Sequence, residues 1–164
     1  MFSFPRTINE KAARVVAGVV MAAAVLILAT GWHWLLVVLA YGFLARVIAG
    51  PTFSPLAQFA TRVAAPRLGE PKLVSGPPKR FAQGMGFAMT ATAAVLALGF
   101  GATGAANVLV AAMVVAAGLE AVFAFCLGCK VFGLLMRAGV VPDEVCAECA
   151  DIWSRPGLAR TPVA

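Results

Sequence analysis

Charged residues vanish from two long stretches of this chain. No Asp, Glu, Lys or Arg occurs between Val15 and Ala45, or between Phe81 and Leu119. A helix that spans a bilayer needs about 20 apolar residues, and about 17 can suffice. Each stretch therefore has room for two helices and a tight turn. Thr30-Gly31 interrupts the first stretch and Gly101-Ala102-Thr103-Gly104 the second. The pattern predicts four spans at about 12–30, 33–49, 82–101 and 105–126. Thr7-Ile8-Asn9-Glu10 has the spacing of a capping box at the start of the first helix. The first apolar run exceeds the roughly 7–15 residues of a signal-peptide core and leads into a second apolar segment, so it reads as a retained span.

The region between the two hairpins is more polar. Ser54-Pro55 is a cap followed by a first-turn proline, and Leu56, Phe59, Ala60 and Val63 repeat at helical spacing beside Arg62 and Arg67. This predicts a short amphipathic helix on the membrane surface, ended by Pro66, and then a proline-rich linker over 69–78. Gly18 with Ala22 and Gly84 with Ala88 are the small residues expected to let spans approach one another. The fold class is all-α: a four-span transmembrane helical bundle over 1–152 with a cytoplasmic loop helix and a short cysteine-bearing tail. Residues 153–164 read as a flexible extension.

Composition agrees with this pattern. The chain of 164 residues is 62% hydrophobic and 12% charged, against about 25% charged in soluble domains. Placement of the positive residues gives an orientation. Arg6, Lys11 and Arg14 flank the first span, Arg46 ends the second, and Arg62, Arg67, Lys72, Lys79 and Arg80 fill the central loop. The positive-inside rule then puts both termini and the central loop of this multi-pass protein in the cytoplasm; the resemblance described below implies a bacterial plasma membrane. Trp32 and Trp34 lie at one outer tip, at headgroup level. The net charge of +6 reads as topology and attraction to anionic lipid in the bilayer. Dispersed basic residues without a binding motif argue against nucleic acid.

All four cysteines fall into two C-x-x-C pairs, Cys126/Cys129 and Cys146/Cys149. A helix begun near Ala105 has crossed about 30 Å by Phe125, which puts Cys126 near the cytoplasmic interface, with Gly128 bending or ending the helix. Lasting disulfides are rare in the cytosol, which leaves two readings open. Sixteen residues separate the pairs, within the roughly 15–20 of four-cysteine zinc sites, so all four thiolates could hold one structural zinc. Alternatively, the pairs carry thiol exchange or sulfur transfer, one thiolate attacking and its neighbour resolving. Lys130, next to Cys129, favours thiolate in the first pair. Asp143, Glu144, Glu148 and Asp151 disfavour it in the second.

Glu120 is the single acidic residue within a predicted span, about 9 Å deeper than Cys126, and an ionisable group at such depth is a functional candidate. Arg14 or Arg46 is its expected partner, with Gln83 nearby. His33 has no evident ligand partner and reads as an interfacial side chain. Met85 and Met89 share a helix face and read as packing residues.

PRTINEKAAR, ARVIAGPTFSPLA, PPKRFAQ and LEAVFAFCLGCKVF followed by VCAEC carry a resemblance. With these motifs the chain, over about residues 5–152, resembles the DUF4395 family of small bacterial membrane proteins. The resemblance implies Asn9, Glu10, Arg14, Arg46, Glu120, Cys126 and Cys129 as motif residues, and a thioredoxin-like or rhodanese-like protein as partner. The expected function is that of a membrane-bound thiol protein for disulfide exchange or sulfane-sulfur relay. The alternative is a scaffold or transporter component with a four-cysteine zinc site, which would need a homo-oligomer to build a transport path.

Overall fold

The structure, a computed structural model, describes residues 7–142. A three-residue strand, β1 (Thr7–Asn9), leads into α1 (Glu10–Thr30), and α2 (Leu35–Ala49) follows after a short turn. A 3-10 turn (Gly50–Thr52) precedes α3 (Pro55–Phe59), a π-helical turn (Ala60–Ala64) and α4 (Ala65–Arg67). Strand β2 (Leu73–Ser75) then enters α5 (Gly76–Ala94), which a π-helical turn (Val95–Gly99) prolongs. The last helices are α6 (Thr103–Phe123) and α7 (Leu127–Arg137).

Three of these helices, Glu10–Thr30, Gly76–Gly99 and Thr103–Phe123, are long and apolar enough to cross a membrane. The fourth apolar helix, α2, has 15 residues and rises about 22 Å at 1.5 Å per residue, short of the predicted 33–49. The sequence Trp32-His33-Trp34 forms the turn before it instead of its first helical turn. Exposed Val37, Val38, Tyr41, Leu44 and Ile48 give α2 an apolar outer face, and α1 and α6 carry similar rows, such as Val25 and Leu28, and Val108, Val115 and Val122.

The predicted hairpins are not the packing units. α1 lies chiefly against α6, and α2 against α5. One core cluster joins Ala12, Val16 and Val20 to Phe43, Met113 and Ala117, and reaches Ala57, Ala60 and Ala65 of the surface segment. Nearer the hairpin tips, Ala24, Ile27, Leu36, Ala93, Ala106 and Val110 form a second. Small residues dominate both, because apolar lipid gives little drive for association and close backbone approach supplies the packing. At the tips, His33 Nε2 and Asn107 Oδ1 lie 2.9 Å apart, a tie that apolar patterning does not signal.

At the opposite end β1 pairs antiparallel with β2, with Thr7 opposite Ser75, Ile8 opposite Val74 and Asn9 opposite Leu73. This corrects two expectations. Thr7 is committed to the ribbon, so Asn9 caps α1, accepting from Lys11 N–H at 3.0 Å, while Glu10 pairs with Lys72 at 2.8 Å. The expected linker over 69–78 holds β2 and the first turn of α5, whose Pro77 and Pro78 suit helix starts, where the backbone N–H has no intrahelical partner. In the surface segment Ser54 caps as expected, but Ala57 and Ala60 face the core while Phe59 is exposed.

Gly18 does meet α6, 4.0 Å from Ala121 Cβ for a built Cβ, whereas a Cβ at Gly84 would meet nothing within 4 Å. The close approach is at Gly86, where an added Cβ would press into the ring of buried Phe43. Gly86→Val should therefore lower the thermal midpoint of the detergent-purified protein, with a loss of about 1–3 kcal/mol. Gly84→Ala should leave it equal or higher, because alanine favours the helix. Parallel melting curves check the pair.

Candidate functional site

The site lies at the ribbon end, where α6 stops and α7 starts. Glu120 and Leu119 carbonyls accept from the N–H groups of Ala124 and Phe125, closing α6 in a left-handed (αL) cap. Ala124 occupies the left-handed position at φ 56°, where a residue with a Cβ is held at a cost of roughly 1 kcal/mol. Arg14 of α1 donates to the next two carbonyls, Nε to Ala121 O at 3.0 Å and Nη2 to Val122 O at 2.9 Å. A cation at a helix C-terminus also meets the negative end of its dipole. The bend is thus fixed from two elements.

The chain then reverses role at Cys126. It was expected to close the fourth span; instead it opens α7. Its backbone is extended (φ −87°, ψ 105°) and its sulfur accepts from Cys129 N–H at 3.4 Å, the position that serine or aspartate commonly fills. The reason is Ala124, which ends α6 before the predicted limit of residue 126. Gly128 does not end a helix either. It lets α7 sit on α5, since an added Cβ would lie 2.5 Å from Ala82 Cβ and 2.7 Å from its Cα. Phe132 packs beside it on Phe81, ring centroids 5.6 Å apart.

Under α7 lies the polar cluster. Glu120 forms an ion pair with Lys79 of α5, and both side chains are mostly buried, at 16% and 9% exposure. The expected partners are elsewhere: Arg14 caps α6, and Arg46 donates from Nε to Gln83 Oε1 at 2.7 Å and from Nη1 to Ser54 Oγ at 3.4 Å. The Arg46 guanidinium also rests over the Phe43 ring, 4.6 Å from its centroid. The apolar pattern predicts Lys79 in the loop because it starts the span at about residue 82, whereas α5 begins at Gly76. Pro77-Pro78 was the available signal, since prolines in a first turn place Lys79 and Gln83 four residues apart on one helical face.

Cys126 is buried and Cys129 half-buried, and both are free thiols. The Cys126 thiol is pulled below its ordinary value, first by the hydrogen bond from the Cys129 side chain. Burial and the Glu120 carboxylate oppose this shift, and the Lys79 ammonium supports it. Cys129 is pushed up, first because it donates to the Cys126 sulfur and then by burial. The cation that bears on Cys126 is thus Lys79. Lys130, expected in that role, has its Nζ 5.5 Å from the Phe125 ring centroid. Cys146 and Cys149 lie outside the described residues, and with them the four-cysteine zinc site. Among the described residues no group of three or more His, Cys, Asp or Glu is placed to hold a metal ion.

Two cavities flank the cluster. One of ≈ 180 Å³ extends towards the ribbon and touches Asn9, Arg46, Lys79 and Gln83. The other, ≈ 250 Å³ and half open, runs between the apolar helices and is bounded by Gln83, Met85, Met89, Met113, Glu120 and Cys126. Gln83 belongs to both walls.

A family profile described as a domain of unknown function, DUF4395, matches residues 8–137. The chain belongs to the DUF4395 family. The matched region contains α1 to α7, with Cys126 and Cys129, and ends before Cys146. Searches of curated proteins and of solved structures each found no match.

Two outcomes follow from this geometry. Glu120→Gln leaves the Lys79 ammonium buried without its counter-charge, and should destabilise the detergent-solubilised protein by about 3–5 kcal/mol. The double variant Lys79→Met/Glu120→Met should recover most of that loss, as measured by denaturant unfolding. Because its pKa is depressed, Cys126 should react with a small membrane-permeant alkylating agent from a lower pH than a free thiol, whose pKa is about 8.5. Cys129→Ala removes the hydrogen-bond donor and should move the midpoint of that pH profile upward.

Proposed function

We propose that this DUF4395 protein is a membrane-embedded thiol–disulfide exchange protein whose working pair is Cys126 and Cys129. One observation carries the reading: the Cys126 sulfur caps the N-terminus of α7, with Cys129 one turn on. The helix dipole and free N–H groups there favour a thiolate. A second thiol within the same turn is what a resolving cysteine requires.

The four-span topology belongs to this reading. The outward apolar face of α2 suits lipid, and a helix shorter than the hydrocarbon core is accommodated by local thinning of the bilayer. The basic residues Arg14, Arg46, Arg62, Arg67, Lys72, Lys79 and Arg80 lie at or near the dithiol end, so the positive-inside rule directs that end to the cytoplasm.

The helix N-terminus suggests a direction, because it stabilises Cys126 as the leaving thiolate. In the oxidised protein, a thiolate of a soluble thioredoxin-like partner attacks the Cys129 sulfur. The Cys126–Cys129 bond breaks and Cys126 leaves as thiolate, the better leaving group. The partner's second thiolate then attacks its own bridged sulfur, and Cys129 departs with the electron pair and takes up a proton. The partner ends oxidised and the Cys126–Cys129 pair reduced. Sulfane sulfur could be accepted from a rhodanese-like partner by the same pair. Cys146 and Cys149, as a second dithiol, would pass electrons or sulfur onward.

The test is a thiol count on anaerobically purified protein equilibrated in glutathione buffers of graded potential, with peptide mapping and metal analysis. Expected is a reversible disulfide between Cys126 and Cys129, replaced in Cys126→Ser and Cys129→Ser by a glutathione adduct on the remaining cysteine. A pair that stays fully alkylatable at every potential would overturn the reading. So would about one zinc per chain, with thiols that react only after chelation.

A further inference from the structure

Cys126 is buried, and it borders the apolar cavity between the helices. That cavity is therefore the space next to the dithiol in which an electron acceptor could sit. The cavity narrows the class of acceptor. At ≈ 250 Å³ it exceeds a cavity of about 150 Å³ that binds benzene, so it can admit a one- or two-ring head group. Its lining is mainly aliphatic and thioether, with polar groups at the dithiol end: Gln83, Glu120 and Cys126.

Gln83 has a further property. Arg46 can only donate, so the 2.7 Å contact fixes Oε1 towards Arg46. Its Nε2 therefore carries two donor hydrogens, with no acceptor for them among the described residues. Gln83 lines this cavity together with Cys126, and a residue there with an amide donor to spare matches a ligand that carries a carbonyl oxygen on an apolar ring. An acyl chain would leave that donor unused.

We infer that the cavity bounded by Gln83, Met89, Glu120 and Cys126 is a binding site for a lipid-soluble quinone, which accepts the electrons of the Cys126–Cys129 dithiol. This rests on the dithiol reading above. The Gln83 amide donates to one quinone carbonyl. The Cys126 thiolate forms a C–S bond to a ring carbon. Cys129, losing its proton to the reduced ring, attacks the Cys126 sulfur; the C–S bond breaks and its electron pair stays with the ring. A second proton, from water by way of Lys79 on the ribbon-side cavity and its partner Glu120 on the apolar one, completes the quinol. The dithiol loses two electrons, the quinone gains two, and the sulfurs end as a disulfide.

The experiment uses the full-length reduced protein in phospholipid nanodiscs, with decyl-ubiquinone as the probe. Quinol formation is followed optically and the disulfide by peptide mapping, and the same samples are equilibrated with oxidised glutathione. Expected is stoichiometric quinol formation coupled to the Cys126–Cys129 disulfide, and none with Cys126→Ser. Gln83→Leu should raise the quinone KM at least ten-fold, as should Met89→Trp, which fills the cavity without touching Arg46 and so guards against a folding defect in the first variant. A disulfide formed by glutathione but not by the quinone would overturn the quinone site alone. No disulfide with either oxidant would overturn the dithiol reading as well. Quinol formation that persists in Cys126→Ser, or a KM unmoved in both cavity variants, would assign the reaction to non-specific thiol chemistry and also overturn the site.

Discussion

Lys79 and Glu120 sit as an ion pair between α5 and α6, with little access to water. Neither charge could stay there alone, because burying a single charge costs several kcal/mol that only a close counter-charge offsets. The pair therefore fixes where the two helices may lie relative to one another. α7 rests on the adjoining turn of α5 through Gly128 and Phe132, and Glu120 supplies a carbonyl that closes α6. Displacing the pair would disturb the two surfaces that locate Cys126. Its charges also act on the sulfur in opposite senses, Lys79 favouring thiolate and Glu120 opposing it. The local hydrogen bond from Cys129 is thereby left as the main determinant of the Cys126 state.

The two thiols differ in what they face. Cys126 borders the apolar cavity, while Cys129 is half-exposed on α7. The Arg46–Gln83 and Lys79–Glu120 contacts stand between the two cavities.

Much of this was legible before any coordinates. Charge-free runs divided by Thr30-Gly31 and Gly101 gave the apolar helices, since bilayer thickness sets both length and composition. Ser54 caps the surface segment as its sequence predicts. The misses share a cause, which is that partners distant in sequence decided local structure. Thr7 looked like a cap until β2 took its backbone. Arg14 and Arg46 looked like partners of Glu120 because depth along a helix can be read from sequence, whereas facing cannot. Lys79 was lost with the start of α5. The Ala124 turn had no signal, because the usual glycine is absent and Arg14 and the bonds from Ala124 and Phe125 N–H hold the bend instead.

The pairing of α1 with α6 and of α2 with α5 has a consequence for assembly. Spans that enter a bilayer in order of synthesis normally find the preceding span beside them first. Here α1 and α2 contact each other only sparsely and meet their main partners after the central segment has been made. Arg14 in particular has no α6 carbonyls to bind until the last span has left the ribosome, and β1 has no β2. The first half of the molecule thus reaches its main contacts, and the dithiol turn its Arg14 bracing, only once the second half has been made.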